Sequence, residues 1–358
     1  MSGRRLRIAL ISTPFIAVPP KSYGGTELIV AELAQALKAA GCEVVVYATG
    51  DSALPGIEIR SYFPTAIWPP TPETDQTHAA WALRDVMRDG RFDLVHSNSQ
   101  AVVALSKLCS LPILHTLHHD RDDELSRMYA LHPHVSRVAI SCSQAAREPA
   151  SAHHVVLHGL DPSRFEPRPD DGYLLFLGRY SSVKAPHLAI DVATRANLPI
   201  VMAGRSHDEP GDETYHEREL AKRFDLPHVL EVGPVGGAVK QRLLAGARAV
   251  VFPIQWEEPF GLVMIEAMLS GVPVIALRRG SVGEVVDEGK TGFICDTVDD
   301  MARAAASAHL LDRAVVRAHA VRRFSAARMA NDYLAVYDDL LGDKSIATPP
   351  PAEEKLGA

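Results

Sequence analysis

The chain has 358 residues, too long for one ordinary domain and comfortable for two hydrophobic cores. Apolar residues make up 47% and charged residues 23%, which excludes a disordered or fibrous chain, and no stretch approaches the ~18 uninterrupted apolar residues of a membrane span. The net charge of -7 and isoelectric point of about 6.1, with Lys and Arg scattered rather than striped, argue against a nucleic-acid partner.

The basic N-terminus leads into a short apolar run that Ser12, Thr13 and Pro14 end too early for a signal peptide, so residues 7–11 are expected as a buried strand. Residues 26–40 carry Ile29, Val30, Leu33 and Leu37 at helical spacing, with Thr26 as the expected N-cap and Gly41 as the stop. Strands follow at 43–48, 92–96, 112–116, 137–141 and 154–157, with helical segments between most of them. Residues 158–172 hold three prolines and interrupting charges, which marks a domain boundary. Strands then resume at 173–177, 200–203, 229–232, 249–253, 273–276 and 292–295, with helices expected near 185–196, 214–224, 239–247, 261–269 and 298–311. A last amphipathic helix, 325–341, carries Met329, Tyr333, Val336, Tyr337 and Leu340; the Pro-rich charged tail after it is expected to be disordered. Cys42, Cys109, Cys142 and Cys295 are far apart, without metal or redox spacing, so a reduced cytoplasmic protein is expected.

Alternating strands and helices predict two successive doubly wound α/β units facing a cleft. Open parallel sheets bind ligands beyond the carboxyl ends of their strands, so the chemistry is sought in strand-to-helix turns. Four turns stand out. Gly24 and Gly25 precede a helix, an arrangement that fits a phosphate or sugar cradle, or merely a flexible turn; no G-x-G-x-x-G is present. Arg179 and Lys184 follow the first strand of the second unit, where both can reach a diphosphate unless they are ordinary solvated cations. In Trp256-Glu-Glu-Pro-Phe-Gly-Leu-Val-Met-Ile-Glu266, two carboxylates, Glu258 and Glu266, bracket a helix start whose amides suit phosphate; a cap and a solvated acid are the plain alternative. A strand also delivers His115, His118 and His119 to its end; one of them acting on a ligand fits better than a metal site. Asp120-Arg-Asp122 is a D-x-D tripeptide that is frequent by chance.

The segments EPFGLVMIEAMLSGVPVIA, FLGRYSSVKAPHLAI and HGLDPSRF, in their order and spacing, resemble the retaining glycosyltransferases of family 4, which have the GT-B fold. The resemblance implies an acceptor-binding Rossmann-like domain at 1–165, a nucleotide-sugar-binding one at 166–324, a helix at 325–342 crossing back to the first domain, and a tail at 343–358. It implies that Arg179 and Lys184 hold the donor diphosphate, Glu258 the donor sugar and Glu266 the ribose. Backbone at Phe260, Gly261, Leu262 and Val263 would complete the pocket; Gly24 and Gly25 would close over the diphosphate. His118 would lie by the donor sugar and acceptor, and Val235, Gly204 and Arg205 near the base. The implied activity is transfer from a nucleotide sugar, UDP-linked first and GDP-linked second, to a hydroxyl acceptor of unknown kind (glycan, lipid-linked sugar or small molecule). No metal or other cofactor is expected, no transmembrane segment, and a peripheral membrane contact stays open. His158 stands where the family usually has Asn, and Ala185 where Gly usually follows the Lys. An epimerase or hydrolase of the same fold, and a non-catalytic nucleotide-sugar-binding protein, are the competing readings; front-face and double-displacement routes both stay open.

Overall fold

The computed structural model describes residues 5–21, 24–150, 154–206 and 214–342. The first domain is an all-parallel sheet of β1 (Arg7–Ile11), β2 (Glu43–Tyr47), β3 (Glu58–Arg60), β4 (Leu94–Ser97), β5 (Ile113–Thr116), β6 (Ser136–Ala139) and β7 (His154–Val155), in the order β3-β2-β1-β4-β5-β6-β7. Helices α1 (Gly25–Ala39), α2 (Pro72–Asp89), α3 (Gln100–Ala104), α4 (Asp123–Leu131) and α5 (Cys142–Arg147) connect the strands. Strands with both faces covered must be apolar throughout. In β1, Ile8 and Leu10 enter one core while Ala9 and Ile11 enter another on the opposite face.

The second domain repeats the scheme with β8 (Leu174–Leu177), β9 (Ile200–Ala203), β10 (Val229–Glu231), β11 (Ala249–Phe252), β12 (Val274–Leu277) and β13 (Gly292–Cys295), ordered β10-β9-β8-β11-β12-β13. Its helices are α6 (Pro186–Ala196), α7 (Ala221–Phe224), α8 (Gly237–Gly246), α9 (Leu262–Leu269), α10 (Val282–Val285), α11 (Val298–Ser307) and α12 (Arg313–Phe324). Strand order reverses between β1 and β4 in the first sheet and between β8 and β11 in the second. Each reversal opens a crevice at the strands' carboxyl ends.

α13 (Ala326–Gly342) returns to the first domain and packs on α1 through Met329, Tyr333, Val336, Tyr337 and Leu340. Two buried polar contacts fix it: Tyr337 OH lies 2.7 Å from His96 Nδ1, and Tyr333 OH lies 2.8 Å from Thr116 Oγ1. His96 Nε2 and Thr116 Oγ1 are themselves 2.8 Å apart, which closes the network. The chain thus crosses between domains twice, and the crossings are stitched together: Leu160 N donates to Phe324 O and Ala326 N to Leu160 O, each at 2.9 Å. Glu32 on α1 anchors the first crossing by pairing with Arg164 and accepting from Asp161 N at 2.7 Å.

Several expectations need correction. α1 begins at Gly25 with Gly24 at its N-cap, and among the described residues no side chain, Thr26 included, caps it. The short strand β3 and the helix α12 have no counterpart in the sequence reading. α12 alternates apolar residues with Arg313, Arg317, Arg322 and Arg323, which hides its buried face of Val316, Ala320 and Phe324. Two of the segments between expected strands turn helical at Pro72 and Asp123. The expected disordered tail, and part of the turn before Gly24, lie outside the described residues.

Candidate active site

In the second domain both arms of the crevice carry charge. Arg179 follows β8 directly and Lys184 stands just before α6, while Glu258 lies in the turn after β11. The two turns are tied by Gln255 N donating to Val183 O at 2.8 Å. Lys184 Nζ pairs with Glu258 Oε2, which also accepts from Trp256 Nε1 at 3.0 Å, and the ammonium sits 4.9 Å from the Trp256 ring centroid. Both donors use the same oxygen, so among the described residues Oε1 of Glu258 accepts no hydrogen bond.

Gly261 starts α9 at a φ of 81°, a left-handed conformation suited to glycine, and a Cβ there would meet Met264 Cε at 2.7 Å. The amides of Leu262 and Val263 fall in the first turn, where a helix offers no carbonyl partner and favours an anion. Phe260 is buried; its carbonyl accepts from Ser281 Oγ at 2.7 Å. Glu266, one turn further along α9, is also buried and pairs with Lys240 Nζ at 2.6 Å. Gly25 faces this turn from the first domain: a Cβ there would lie 3.6 Å from Leu262 Cδ1, so α1 and α9 present their N-termini to the same gap. At Gly24 a Cβ would crowd Glu27 Oε2 and the Pro20 side chain, each at 3.0 Å. Glu27 is buried and accepts from Thr13 Oγ1 at 2.7 Å; burial raises its carboxyl pKa.

In the first domain the crevice holds Asn98, whose amide N–H donates to Ile11 O at 2.9 Å across the β1–β4 reversal. Its side-chain oxygen accepts from His118 Nε2 at 2.8 Å, so His118 carries its proton on Nε2 and keeps Nδ1 as an acceptor. Desolvation, reinforced by His119, lowers the His118 pKa to about 3 and keeps the ring neutral. His118 stacks on His158 at 5.5 Å, and His158 meets the Phe260 ring edge-on at 5.0 Å. The histidine that replaces the usual Asn therefore links the first-domain histidine to the Glu258 turn through the linker. Ala185, at the other departure, has a φ of 50°, the left-handed conformation that glycine adopts more readily.

The remaining expected residues play backbone roles or lie at the rim. Gly204 packs on the Gly178 backbone, leaving no room for a side chain, and its amide donates to Gly233 O at 2.9 Å. Arg205 is exposed, and Val235 is half-buried in the turn before α8. The acids of the D-x-D tripeptide have partners within the chain: Asp120 pairs with Arg147 at 2.9 Å, and Asp122 caps α4 by accepting from Glu124 N and Leu125 N. His119 is held by Tyr129 OH at 2.7 Å, a structural role.

The sequence reading missed Lys240, Trp256, Asn98, Arg147, Gly280 and Glu284. Arg147 bridges the domains by donating to Glu257 O at 3.2 Å, and Glu284 of α10 accepts from the amides of Cys142 and Ser143 at 2.7 and 2.6 Å. Gly280 has a φ of 50° and lies against Glu258; a Cβ would sit 2.5 Å from the Glu258 nitrogen and closer still to its carbonyl oxygen. Only Trp256 and Gly280 left a trace in the sequence, one beside a signature acid and the other just after a strand.

Two family models match in tandem: Glycosyltransferase Family 4 over residues 23–177 and Glycosyl transferases group 1 over residues 161–324. The chain belongs to the group 1, family 4 glycosyltransferases. This glycosyltransferase is 25% identical to the D-inositol 3-phosphate glycosyltransferase of Pseudarthrobacter chlorophenolicus, over 81% of this chain and 83% of that one. Among solved structures it resembles AviGT4, a glycosyltransferase involved in avilamycin A biosynthesis, at 27% identity and a TM-score of 0.71, over 94% of this chain and 98% of that one. It also resembles Anabaena HepE in complex with UDP and glucose, at 18% identity and a TM-score of 0.72, over 93% and 100% of the two chains. The fold is GT-B, and no helix of the described residues is long and apolar enough to cross a membrane.

Proposed function

We propose that this glycosyltransferase moves a hexosyl group from a UDP-sugar to a hydroxyl acceptor, with retention of configuration and without a metal. The observation that carries the reading is the Lys184–Glu258 pair in the β8–β11 crevice, beside the α9 N-terminus and opposite the neutral His118. UDP is favoured because HepE, of the same fold, was solved with UDP and glucose. Arg179, Lys184 and the Leu262 and Val263 amides supply fixed positive charge for a diphosphate leaving group, the task a metal performs elsewhere. Oε1 of Glu258 is left for a sugar hydroxyl, and Nδ1 of His118 for another. Glu266 serves the ribose. Val235 and Arg205 flank the base.

A front-face route suits these side chains better than a double displacement. Glu258 has one oxygen committed to Lys184 and Trp256, which weakens it as a nucleophile. In the front-face route the acceptor proton passes to the departing phosphate oxygen, so His118 is not required as a base. Cytoplasmic placement fits the four free thiols.

Separating the two glutamates tests the assignment. Glu266→Ala should weaken calorimetric binding of UDP, and Glu258→Ala should spare that binding while lowering turnover of the UDP-sugar, because a contact to the reacting sugar counts most in the transition state. The opposite pattern reverses the roles. Turnover measured with and without added acceptors separates transfer from epimerisation, hydrolysis or mere binding. Full activity in EDTA is expected; activity lost in EDTA and restored by Mg²⁺ or Mn²⁺ overturns metal independence.

A further inference from the structure

Each signature glutamate is held by a lysine through one oxygen only. The Lys184 partner of Glu258 belongs to the donor site already described; the Lys240 partner of Glu266 does not. Lys240 extends from the first turn of α8, directly after the turn that holds Val235, and reaches α9. Its ammonium meets Oε1 of Glu266 at 2.6 Å, and among the described residues no other group donates to that carboxylate. The Glu266 side chain is 6% exposed and that of Lys240 22%. A carboxylate so enclosed is costly to bury without a fixed partner.

We infer that Lys240 is a positioning residue for the nucleotide: it locks Oε1 of Glu266 so that Oε2 faces the ribose hydroxyls, and it thereby sets the discrimination between ribonucleotides and 2′-deoxyribonucleotides. The inference rests on the reading of Glu266 as the ribose partner. A buried acceptor built for a hydroxyl penalises a ligand that lacks it, because its lone pairs are then left unmatched. That penalty requires an immobile carboxylate. Without Lys240 the side chain is free to swing to solvent water, and a 2′-deoxy ligand then loses little.

Calorimetry with UDP, GDP and their 2′-deoxy counterparts on the full chain tests this. The wild type should prefer the ribo form of its better nucleotide by about 10- to 100-fold, the range of a hydrogen bond to a charged group. In Lys240→Met the preference should fall to within about threefold of unity and ribonucleotide affinity should drop about tenfold, with kcat on the UDP-sugar little changed while KM rises. Lys240→Arg should restore most of the preference. If the Met variant does not fold, Lys240→Gln is read in its place. Glu266→Gln separates the two readings. If it keeps the full preference, Glu266 does not read the ribose and the inference falls with that assignment. If Glu266→Gln loses the preference and Lys240→Met keeps it, the ribose assignment stands and the role of Lys240 is overturned.

Discussion

Substituting Gly280 by alanine should damage both stability and catalysis, although Gly280 touches no proposed substrate. Its φ of 50° imposes a left-handed cost of about 1–2 kcal/mol on an L-residue. The added methyl would also meet backbone: 2.5 Å from the Glu258 nitrogen and 2.8 Å from the Glu257 carbonyl carbon. Backbone cannot rotate aside as a side chain can, so an overpacking cost of about 1–3 kcal/mol follows. The sum, about 2–5 kcal/mol, corresponds to a fall in melting temperature of roughly 5–15 °C for a domain of this size. Any relief must come from moving the Glu258 turn, which loosens Ser281 N to Glu258 O, now 3.0 Å, and displaces the carboxylate. A misplacement of about 1 Å at a reacting centre costs about a hundredfold in rate. Gly283, three residues on, is the internal control. It lies in α10, and a Cβ there would meet nothing within 4 Å, so Gly283→Ala should be neutral or stabilising by about 0.5–1 kcal/mol. Differential scanning fluorimetry and steady-state kinetics on both variants provide the assay. Wild-type melting and kcat/KM in Gly280→Ala would refute the claim that this glycine supports the catalytic turn.

Arg179→Ala should lower turnover through loss of roughly 2–4 kcal/mol of leaving-group stabilisation while leaving the melting temperature near wild type. Lys184→Ala should show the same kinetic loss together with lower stability, because buried Glu258 is stranded; wild-type kinetics in both removes the diphosphate assignment. Acidification should destabilise the protein through His78 and His96, which burial holds at pKa values of about 4 and about 3. Their folded pKa values lie below the unfolded value of about 6.5, so stability is complete above pH ~6.5 and is lost below it, by about 1.4 kcal/mol per pH unit for each. A melting temperature equal at pH 7.5 and 5.5 would contradict this.

The strands were legible because parallel, doubly covered strands are written as short apolar runs; residues 200–203 and 292–295 were read to the residue as β9 and β13. β3 was not legible, since Glu58-Ile-Arg60 lies on the sheet edge with one apolar residue of three. In the site, charged residues next to glycine-containing turns announced themselves, and the structure gathers Arg179, Lys184, Glu258 and the α9 start at one crevice. Lys240 and Glu266 stand 26 residues apart on different helices, and nothing local in either segment encodes the pairing. Asn98 shows the same limit: its bond to His118 exists only because β4 and β5 are neighbours. The D-x-D tripeptide, frequent by chance, has both acids engaged within the chain: Asp122 on a helix cap and Asp120 on an arginine.

The return of α13 onto α1 has a consequence for biosynthesis. The groove that receives Tyr333 and Tyr337 is lined by residues such as His96 and Thr116, which are made more than 200 residues before its occupant. At ~5–20 residues per second, the roughly 200 residues between them take on the order of 10–40 s to emerge from the ribosome. For that interval the nascent first domain exposes the side of α1 that α13 later covers, together with the His96–Thr116 hydrogen bond. Early folding is therefore provisional, and completion of the first domain coincides with completion of the second. A nonsense mutation between residues 296 and 326 would leave both sheets encoded and the N-terminal half without its lid, a product suited to chaperone capture or proteolysis rather than partial activity.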